Sequence, residues 1–466
     1  MRDLWSIASS DRVIAEIADL LLPDTYLVGG CIRDMLLVRQ PHDFDIVTFS
    51  PVWSFAKEVA SRFGASAFWM DQSREIARIV VKDNAVTIDI TPPKGSDIEE
   101  DLKHRDITIN AMAFSFSSRK FIDPLDGLRD LGNKIIRVIS ANALVADPLR
   151  VLRCLRFAIT LDFSIQVETV EYLKRYASGI RDVSPERIKQ ELLLCLNEKQ
   201  GSRLFGMLDT FGLLEELFPY YQDLNQGLHH RWPLKRHVIE TANEIDNLLN
   251  EIEAYLPEIG EYFSEPIEAG ASRAALLRLG AFLHDIGKPE TMSSDRDGRL
   301  HFYQHAIQGT RLVRSIAREL TFAAKSCDIL SGIVEHHMRL LDLACQGDIS
   351  NRAMHRFLKT TQGYVPEILV HALADAWATG KDPGYVGSRP DMERVISKVW
   401  SYYLSTYLQQ TLSPLIDGHD VMHILKIEPG PQIGACLKMV EEARAEGFVS
   451  TRIEALNYLQ NIKLGQ

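Results

Sequence analysis

Residues 26–49 read YLVGGCIRDMLLVRQPHDFDIVTF, and no other stretch restricts the fold as tightly. A short apolar run meets a glycine pair, a segment with helical spacing follows, and a second run carries acids at alternate positions. Alternation on a strand puts Asp43 and Asp45 on one face. Two carboxylates held that close repel unless a cation lies between them. Mg²⁺ suits the place, because it binds through one or two carboxylates plus substrate phosphates. Asp89, in VTIDIT, supplies a third carboxylate if its strand is a neighbour. Gly29 and Gly30 let backbone approach a ligand closely, with amides that can cradle phosphate. Arg33 stands to meet phosphate or to lock the turn to Asp34. A solvated strand face would need none of this, and the set points to two-metal phosphoryl transfer.

At 466 residues and 46% hydrophobic, the chain has room for several domains. The first 25 residues predict helix, ending at Pro23 and Asp24. FAKEVASRFG predicts an amphipathic helix closed by Gly64. ARIVVKD and AVTIDIT predict a hairpin with its turn near Asn84. PPKGSDIEEDLKHR reads as a polar loop leading to a helix around DITINAMAF. From about residue 147 the pattern becomes helical. ADPLRVLRCLRFAITL places Leu152, Leu155 and Ile159 on one face, and helices follow at 167–177, 185–197 and 202–217. The polar stretch YQDLNQGLHHRW precedes a second helical block starting near 235. EIEAYLPEIGEYFSEPIEAGAS reads as irregular, and the chain from GHDVMHIL onward as a small helical tail.

Six cysteines, at 31, 154, 195, 327, 345 and 436, form no CxxC pair. That argues against a zinc finger or disulfide scaffold and suits a reducing, cytoplasmic setting. The N-terminus lacks the basic start and apolar run of a signal peptide, and no segment approaches a membrane span. A net charge of −11 argues against wrapping nucleic acid broadly and leaves room for a local basic patch.

GGCIRDMLL…DFD, DLKHRDITINAMAF, FIDPLDGLRDL, ADPLRVLRCLRFA and SPERIKQELL resemble, in order and spacing, the five motifs of class II tRNA nucleotidyltransferases and bacterial poly(A) polymerases. The resemblance covers about residues 20–215. It implies a head of the DNA polymerase β superfamily whose metal-holding acids match Asp43 and Asp45. In RDITIN, Arg105 can pair with triphosphate oxygens and Asn110 with a ribose hydroxyl, and the resemblance likewise assigns this segment to sugar and phosphate. The plainer alternative is a buried helix start with Asp106 salt-bridged to Arg33. Asp147 fits an N-cap and Pro148 a first turn, which leaves Arg150, Arg153 and Arg156 fanning unexplained. The resemblance implies that Asp147 and Arg150, with Arg153 as a weaker candidate, read the incoming base through fixed hydrogen-bonding groups. Ala146 stands where related enzymes often carry Glu. Glu186 and Arg187 of SPERIKQEL are expected to brace that helix. A moving loop at PPKGSDIEEDL is expected to help switch nucleotide specificity.

In the second half, His237, the adjacent His284 and Asp285, and Asp375 are separated by apolar helices and resemble the HD superfamily of metal-dependent phosphohydrolases. Imidazoles and carboxylates of this kind suit Mn, Ni, Co or Mg. His305, with His336 or His337, would complete a two-metal variety, and Lys288 would meet phosphate. Plausible targets are 2′,3′-cyclic phosphates, 2′-phosphates or other phosphomonoesters.

The resemblance implies an α+β fold: a nucleotidyltransferase head with a mixed sheet over 1–146, then an all-helical body. That body comprises a nucleotide-recognition and RNA-binding region over 147–225, an HD-type domain over 226–400 and a tail over 401–466. It implies an ATP(CTP):tRNA nucleotidyltransferase adding CMP, AMP or both, with ATP and CTP as substrates and the tRNA 3′ end and acceptor arm as partner. Poly(A) polymerase and partial CC-adding or A-adding enzymes are the alternatives. From another class, the chain would be an HD phosphohydrolase with an inactive RNA-binding head.

Overall fold

Alternating burial along Asp43–Thr48, Ile76–Val81 and Val86–Thr91 gives these runs one face for a core and one for a site. They belong to a seven-stranded sheet whose strands are β1 Thr25–Val28, β2 Asp43–Thr48, β3 Ala67–Asp71, β4 Ile76–Val81, β5 Val86–Thr91, β6 Ala113–Ser115 and β7 Phe121–Ile122. Their order is β3-β4-β5-β2-β1-β6-β7. β2 and β5 pair in parallel and the other neighbours are antiparallel, so the sheet is mixed. One face buries Phe44, Ile46, Ile79, Ile88 and Ile90, and helix Val52–Arg62 packs on this side through Phe55, Ala56 and Val59. This computed structural model describes residues 11–20, 24–81, 86–221, 228–229, 232–297, 300–347, 349–380, 386–409 and 414–464. The expected turn at Asn84, the stop at Pro23 and most of YQDLNQGLHHRW lie outside them.

The chain divides into two compact units, Met1–Glu191 with Thr210–Leu217, and Leu192–Asp209 with Phe218–Gln466. Of the expected helices, Leu149–Leu161 and Val167–Tyr176 lie in the first unit, and Pro185–Leu196 begins in it. Leu152, Leu155 and Ile159 are buried as their spacing requires. Three local readings need correction. PPKGSDIEEDLKHR is not loop throughout: Asp97 caps a helix over Ile98–Lys103. DITINAMAF is not a helix: Thr108–Asn110 makes one 3-10 turn, and Ala113–Ser115 then pairs with β1. Thr108 N donates to Arg137 O and Ile107 bridges Val138, so extended pairing takes the backbone groups that a helix would use. β3 was also absent from the sequence reading. It pairs antiparallel with β4, and its Trp69 stacks on Trp53 of helix Val52–Arg62 at 4.6 Å between ring centroids.

The second unit is helical, with Leu234–Asn250, Arg273–Leu283, His305–Glu319, Ala324–His336, Val365–Thr379 and Arg389–Tyr402 as its main elements. EIEAYLPEIGEYFSEPIEAGAS is irregular, as expected, holding short helical turns and a small hairpin. The tail forms helices Gly418–Leu425, Pro431–Ala445 and Arg452–Leu464 around Val421, Val440, Ala455 and Leu459. Its link to helix Asn351–Thr360 is ionic: Arg352 and Arg356 reach Glu442 at 2.8 and 2.7 Å. The Arg356 hydrogen bond, working against burial, holds the Glu442 carboxyl down at about 2.

A carboxyl depressed in the folded state stabilises above its unfolded value near 4.3 and loses that contribution as pH falls toward 2. Solvent reaches both arginines, so the contribution is about 1 kcal/mol rather than the full shift. Glu442→Gln is expected to speed hydrogen exchange in helix Pro431–Ala445 about fivefold at pH 7. In denaturant melts of the tail, the difference from wild type should vanish between pH 4.5 and 2. A difference unchanged across that range would show that the pair is not the cause.

Candidate functional site

Asp43 and Asp45 leave β2 on the face away from the Phe44 and Ile46 core, the first exposed and the second mostly buried. β5 sets Asp89 directly beside Asp45, which meets the condition placed on the third carboxylate. Burial pushes the Asp45 carboxyl up, Arg105 pulls it back, and Asp89 and Asp43 raise it again. Three acids in one patch therefore carry a cost that a divalent ion would relieve, and carboxylate oxygens are the donors such an ion takes. Asp89 is already occupied on its far side, where Arg78 grips it with two bonds of 2.7 Å.

The glycine pair earns its place by contact. Gly29 has φ +82°, and a Cβ there would lie 2.9 Å from Arg105 Nη1 and 3.1 Å from Asp45 Oδ2. Any side chain would part the arginine from the acid. Gly29 N donates to Met112 O, and the space above Gly30 holds the Arg33 guanidinium. Arg33 does lock to Asp34, at 2.8 Å, but its other branch goes to Asn110 Oδ1 at 2.7 Å. The alternative pairing of Asp106 with Arg33 is not found.

Asp106 accepts instead from Arg153, at 2.9 and 2.7 Å, and from Asn110 at 3.2 Å. Burial would raise the Asp106 carboxyl, but Arg153 holds it below the usual range. Arg153 and Arg156 both reach Glu191 of helix Pro185–Leu196. Arg33, Arg153 and Arg156 surround the Phe157 ring at 5.1, 5.5 and 4.2 Å. A cavity of about 370 Å³ is lined by Gly29, Arg33, Asp43, Asp45, Arg105 and Phe157 among others, a volume suited to a small phosphorylated ligand. Cys31 also lines it, but burial pushes its thiol up to about 12, so it is no nucleophile.

Asp147 and Arg150 do not line this cavity. Asp147 caps Leu149 N and accepts from Arg187 at 2.7 Å, so Arg187 braces the helix as expected. Arg150 is bound to the backbone carbonyls of His104, Arg105 and Ala143. The bracing glutamate is Glu191 rather than the exposed Glu186, because only Glu191 faces the helix Leu149–Leu161 arginines. Asp101, also missed, holds Arg105 at 3.3 Å from one turn earlier, and that i,i+4 spacing was readable. Arg78 was not, since only strand register places it opposite Asp89.

In the second unit, helix ends converge histidines on Asp285. Its Oδ2 lies 3.1 Å from His284 Nε2 and 3.8 Å from His237 Nε2, and His237 Nε2 is 3.0 Å from Asp375 Oδ1. Its Oδ1 lies 3.5 Å from His305 Nε2 and 3.7 Å from His337 Nε2. In His284, His305 and His337, Nδ1 is bound to a carbonyl of the preceding turn at 2.8 Å, which aims each Nε2 inward. Burial drives the His337 ring down to about 3, so it is the neutral ligand form. This donor set fits divalent ions at two subsites sharing one carboxylate. Between the adjacent histidines the structure selects His337. His336 accepts from Arg339 Nε at 3.0 Å and stacks with Tyr364, so its expected place in the site is corrected. Lys288 pairs with Asp285 at 2.5 Å and lines a cavity with His284, His305, His337 and Asp375.

A mixed sheet with paired acids and clustered arginines, in a chain that also carries an HD-type histidine–aspartate centre, fits a nucleotidyltransferase with a second module whose donor set suits metal. The family model for the poly A polymerase head domain matches residues 25–137. The model for the probable RNA and SrmB-binding site of polymerase A matches 162–224, and the HD domain model matches 235–379. The chain is 32% identical to the CC-adding tRNA nucleotidyltransferase of Thermus thermophilus, over 94% of this chain and 93% of the relative. It is 29% identical to the CC-adding enzyme of Geobacter sulfurreducens, covering 94% and 92% of the two chains. It is also 29% identical to the A-adding enzyme of Deinococcus radiodurans, covering 94% and 95%. A solved CCA-adding enzyme complexed with ATP shares the fold, with a TM-score of 0.71 at 20% identity over 100% of this chain and 98% of that one. The chain belongs to the tRNA nucleotidyltransferase family.

Proposed function

We propose that this protein adds CMP residues to tRNA ends lacking CCA and stops before the terminal A, with CTP as its nucleotide. The observation that carries this is the connection from β5 to helix Ile98–Lys103. An enzyme that takes CTP and then ATP needs a part of its site that moves between additions. PPKGSDIEEDL was expected to be that part, and in this structure side chains tie its backbone. Lys94 N donates to Asp101 Oδ1 at 2.9 Å, Ser96 N to Glu100 Oε2 at 2.7 Å, and Glu100 N to Asp97 Oδ1 at 2.9 Å. Asp101 also holds Arg105, so the tied turn and the phosphate-side arginine are one assembly. Fixed specificity accords with near-full-length relatives that are CC-adding or A-adding, the most identical of the three being CC-adding.

Divalent ions at Asp43 and Asp45, which we take to be Mg²⁺, would lower the pKa of the RNA 3′-hydroxyl and neutralise the triphosphate. Arg105, beside Asp45, would meet phosphate oxygens. Asn110, oriented by Arg33 and Asp106, would take the ribose hydroxyl. Arg150 would read the base only after releasing its backbone carbonyls, whereas Arg153 already borders the cavity. The helical part of the chain would hold the tRNA acceptor arm, mainly through phosphate and shape. The second unit would hydrolyse phosphomonoesters or cyclic phosphates with ions between His237, His284, Asp285 and Asp375 and between Asp285, His305 and His337. We divide the chain at 146, 225 and 400 and place it in the cytoplasm, where its six free cysteines would persist as thiols.

Product mapping on tRNAs ending before CCA, after C and after CC tests the reading. Two, one and no CMP are expected, with ATP unused. Completion of CCA would overturn fixed specificity, A added only after CC would make it the A-adding enzyme, and long A tails on unrelated RNA a poly(A) polymerase.

A further inference from the structure

The sheet face that carries the paired acids continues beyond them. Strand register aligns Ala113, Val28, Asp45, Asp89, Arg78 and Phe68 in one lateral row from β6 to β3. Beside it run Asp43, Thr87 and Val80. At the β1–β6 end this face is covered, with Val28, Val47 and Ala113 clustered against Ile98 and Leu102. At the β3–β4 end it is open: Phe68 is 47%, Met70 53% and Val80 42% exposed. An apolar patch on an edge strand invites association unless something occupies it. Between this patch and the acids stands Arg78, its guanidinium fixed by both bonds to Asp89.

We propose that this patch seats the single-stranded 3′ end of the RNA being extended. The base of a nucleotide just upstream of the reacting hydroxyl stacks on Phe68 between Met70 and Val80, and its phosphate faces Arg78. The inference rests on reading the head as an RNA nucleotidyltransferase. Three strand spacings separate Phe68 from Asp45, about 14 Å, within reach of the last nucleotides of a strand whose terminus sits at the acids. An exposed aromatic beside a fixed cation is what single strands use, because every base has a stacking face and every linkage a charge. Net charge is no obstacle, since the contact needs one arginine rather than a basic surface.

The test uses the full chain and a tRNA with 2-aminopurine as its last nucleotide before CCA. Phe68→Ala is expected to raise the KM for RNA about tenfold, as loss of one base–aromatic stack does, with kcat and the KM for CTP little moved. The 2-aminopurine quenching expected with wild type should be lost, and Phe68→Tyr should restore both. Equal KM and equal quenching in wild type and Phe68→Ala would overturn the proposal. So would a dimer that Phe68→Ala dissociates in sedimentation, which would give the face to a second copy. Quenching is read without turnover, so the two ideas fail separately. Phe68-dependent quenching with no nucleotide addition sinks the catalytic reading, and addition indifferent to Phe68 sinks this platform.

Discussion

Asp43→Asn combined with Asp45→Asn is expected to lower nucleotide addition by about a thousandfold or more, equivalent to about 4 kcal/mol of transition-state stabilisation. The amides keep the volume of both side chains but cannot hold a divalent ion between them. Asp45 is mostly buried beside Arg105 and Asp89, so the loss cannot be made good by a side chain swinging in from solvent. Stability should move the other way. Removing two charges from a cluster in which burial, Asp89 and Asp43 all penalise the Asp45 carboxylate leaves the melting temperature equal or higher. Radiolabelled CTP incorporation reads the first effect and a thermal melt the second. Hydrolysis of a chromogenic phosphomonoester, the activity proposed for the second unit, would serve as an internal control. Addition within tenfold of wild type would remove Asp43 and Asp45 from the reaction. A wild type that adds nothing while hydrolysing phosphoesters would leave only the alternative of an inactive head beside a working HD module.

The parts of this site that could be read from sequence are those set by local periodicity. Period two on β2 put Asp43 and Asp45 together, and the glycine pair marked a turn whose positive φ at Gly29 is now explained by the arginine and acid packed over it. What could not be read depends on partners far along the chain. Asp89 beside Asp45 was a condition until strand order satisfied it. Arg78 needed the register of β4 on β5, and Glu191 the placement of one helix against another. RDITIN has the spacing of a helix, yet Thr108 and Ile107 spend their backbone groups on Arg137 and Val138. The loop at 92–97 shows the limit most clearly. Pro, Gly and Ser marked it as irregular, but composition does not show that side-chain acceptors from Asp97, Glu100 and Asp101 take its backbone donors. His336 and His337 could not be separated because neighbours on a helix point about 100° apart, and only the packing of helix Ala324–His336 decides which one faces Asp285.

That choice leads to the second large effect, centred on Asp285. One oxygen of its carboxylate faces His237 and His284, the other His305 and His337. Asparagine would keep one oxygen and turn an NH₂, which donates and cannot ligate, toward the opposite pair. Asp285→Asn is therefore expected to cost at least one bound divalent ion per chain and about a thousandfold in metal-dependent phosphoester hydrolysis. His336→Ala should leave both within about twofold. The substitution also parts Lys288, itself buried, from the carboxylate it pairs with, and breaking such a pair costs roughly 3–5 kcal/mol. Lost metal could then reflect lost structure. CTP addition by the same preparation and a melt in chelator distinguish the two, because a site defect leaves addition intact and an apo stability close to that of Lys288→Met. His337→Ala gives an independent arm, since it should release the ion nearest His305 and spare the one between His237 and Asp375. Mass-spectrometric metal content after loading with Mn²⁺ reads all of these. If Asp285→Asn retains its full metal complement, the carboxylate is no bridge; if His336→Ala loses metal, the wrong histidine faces the site.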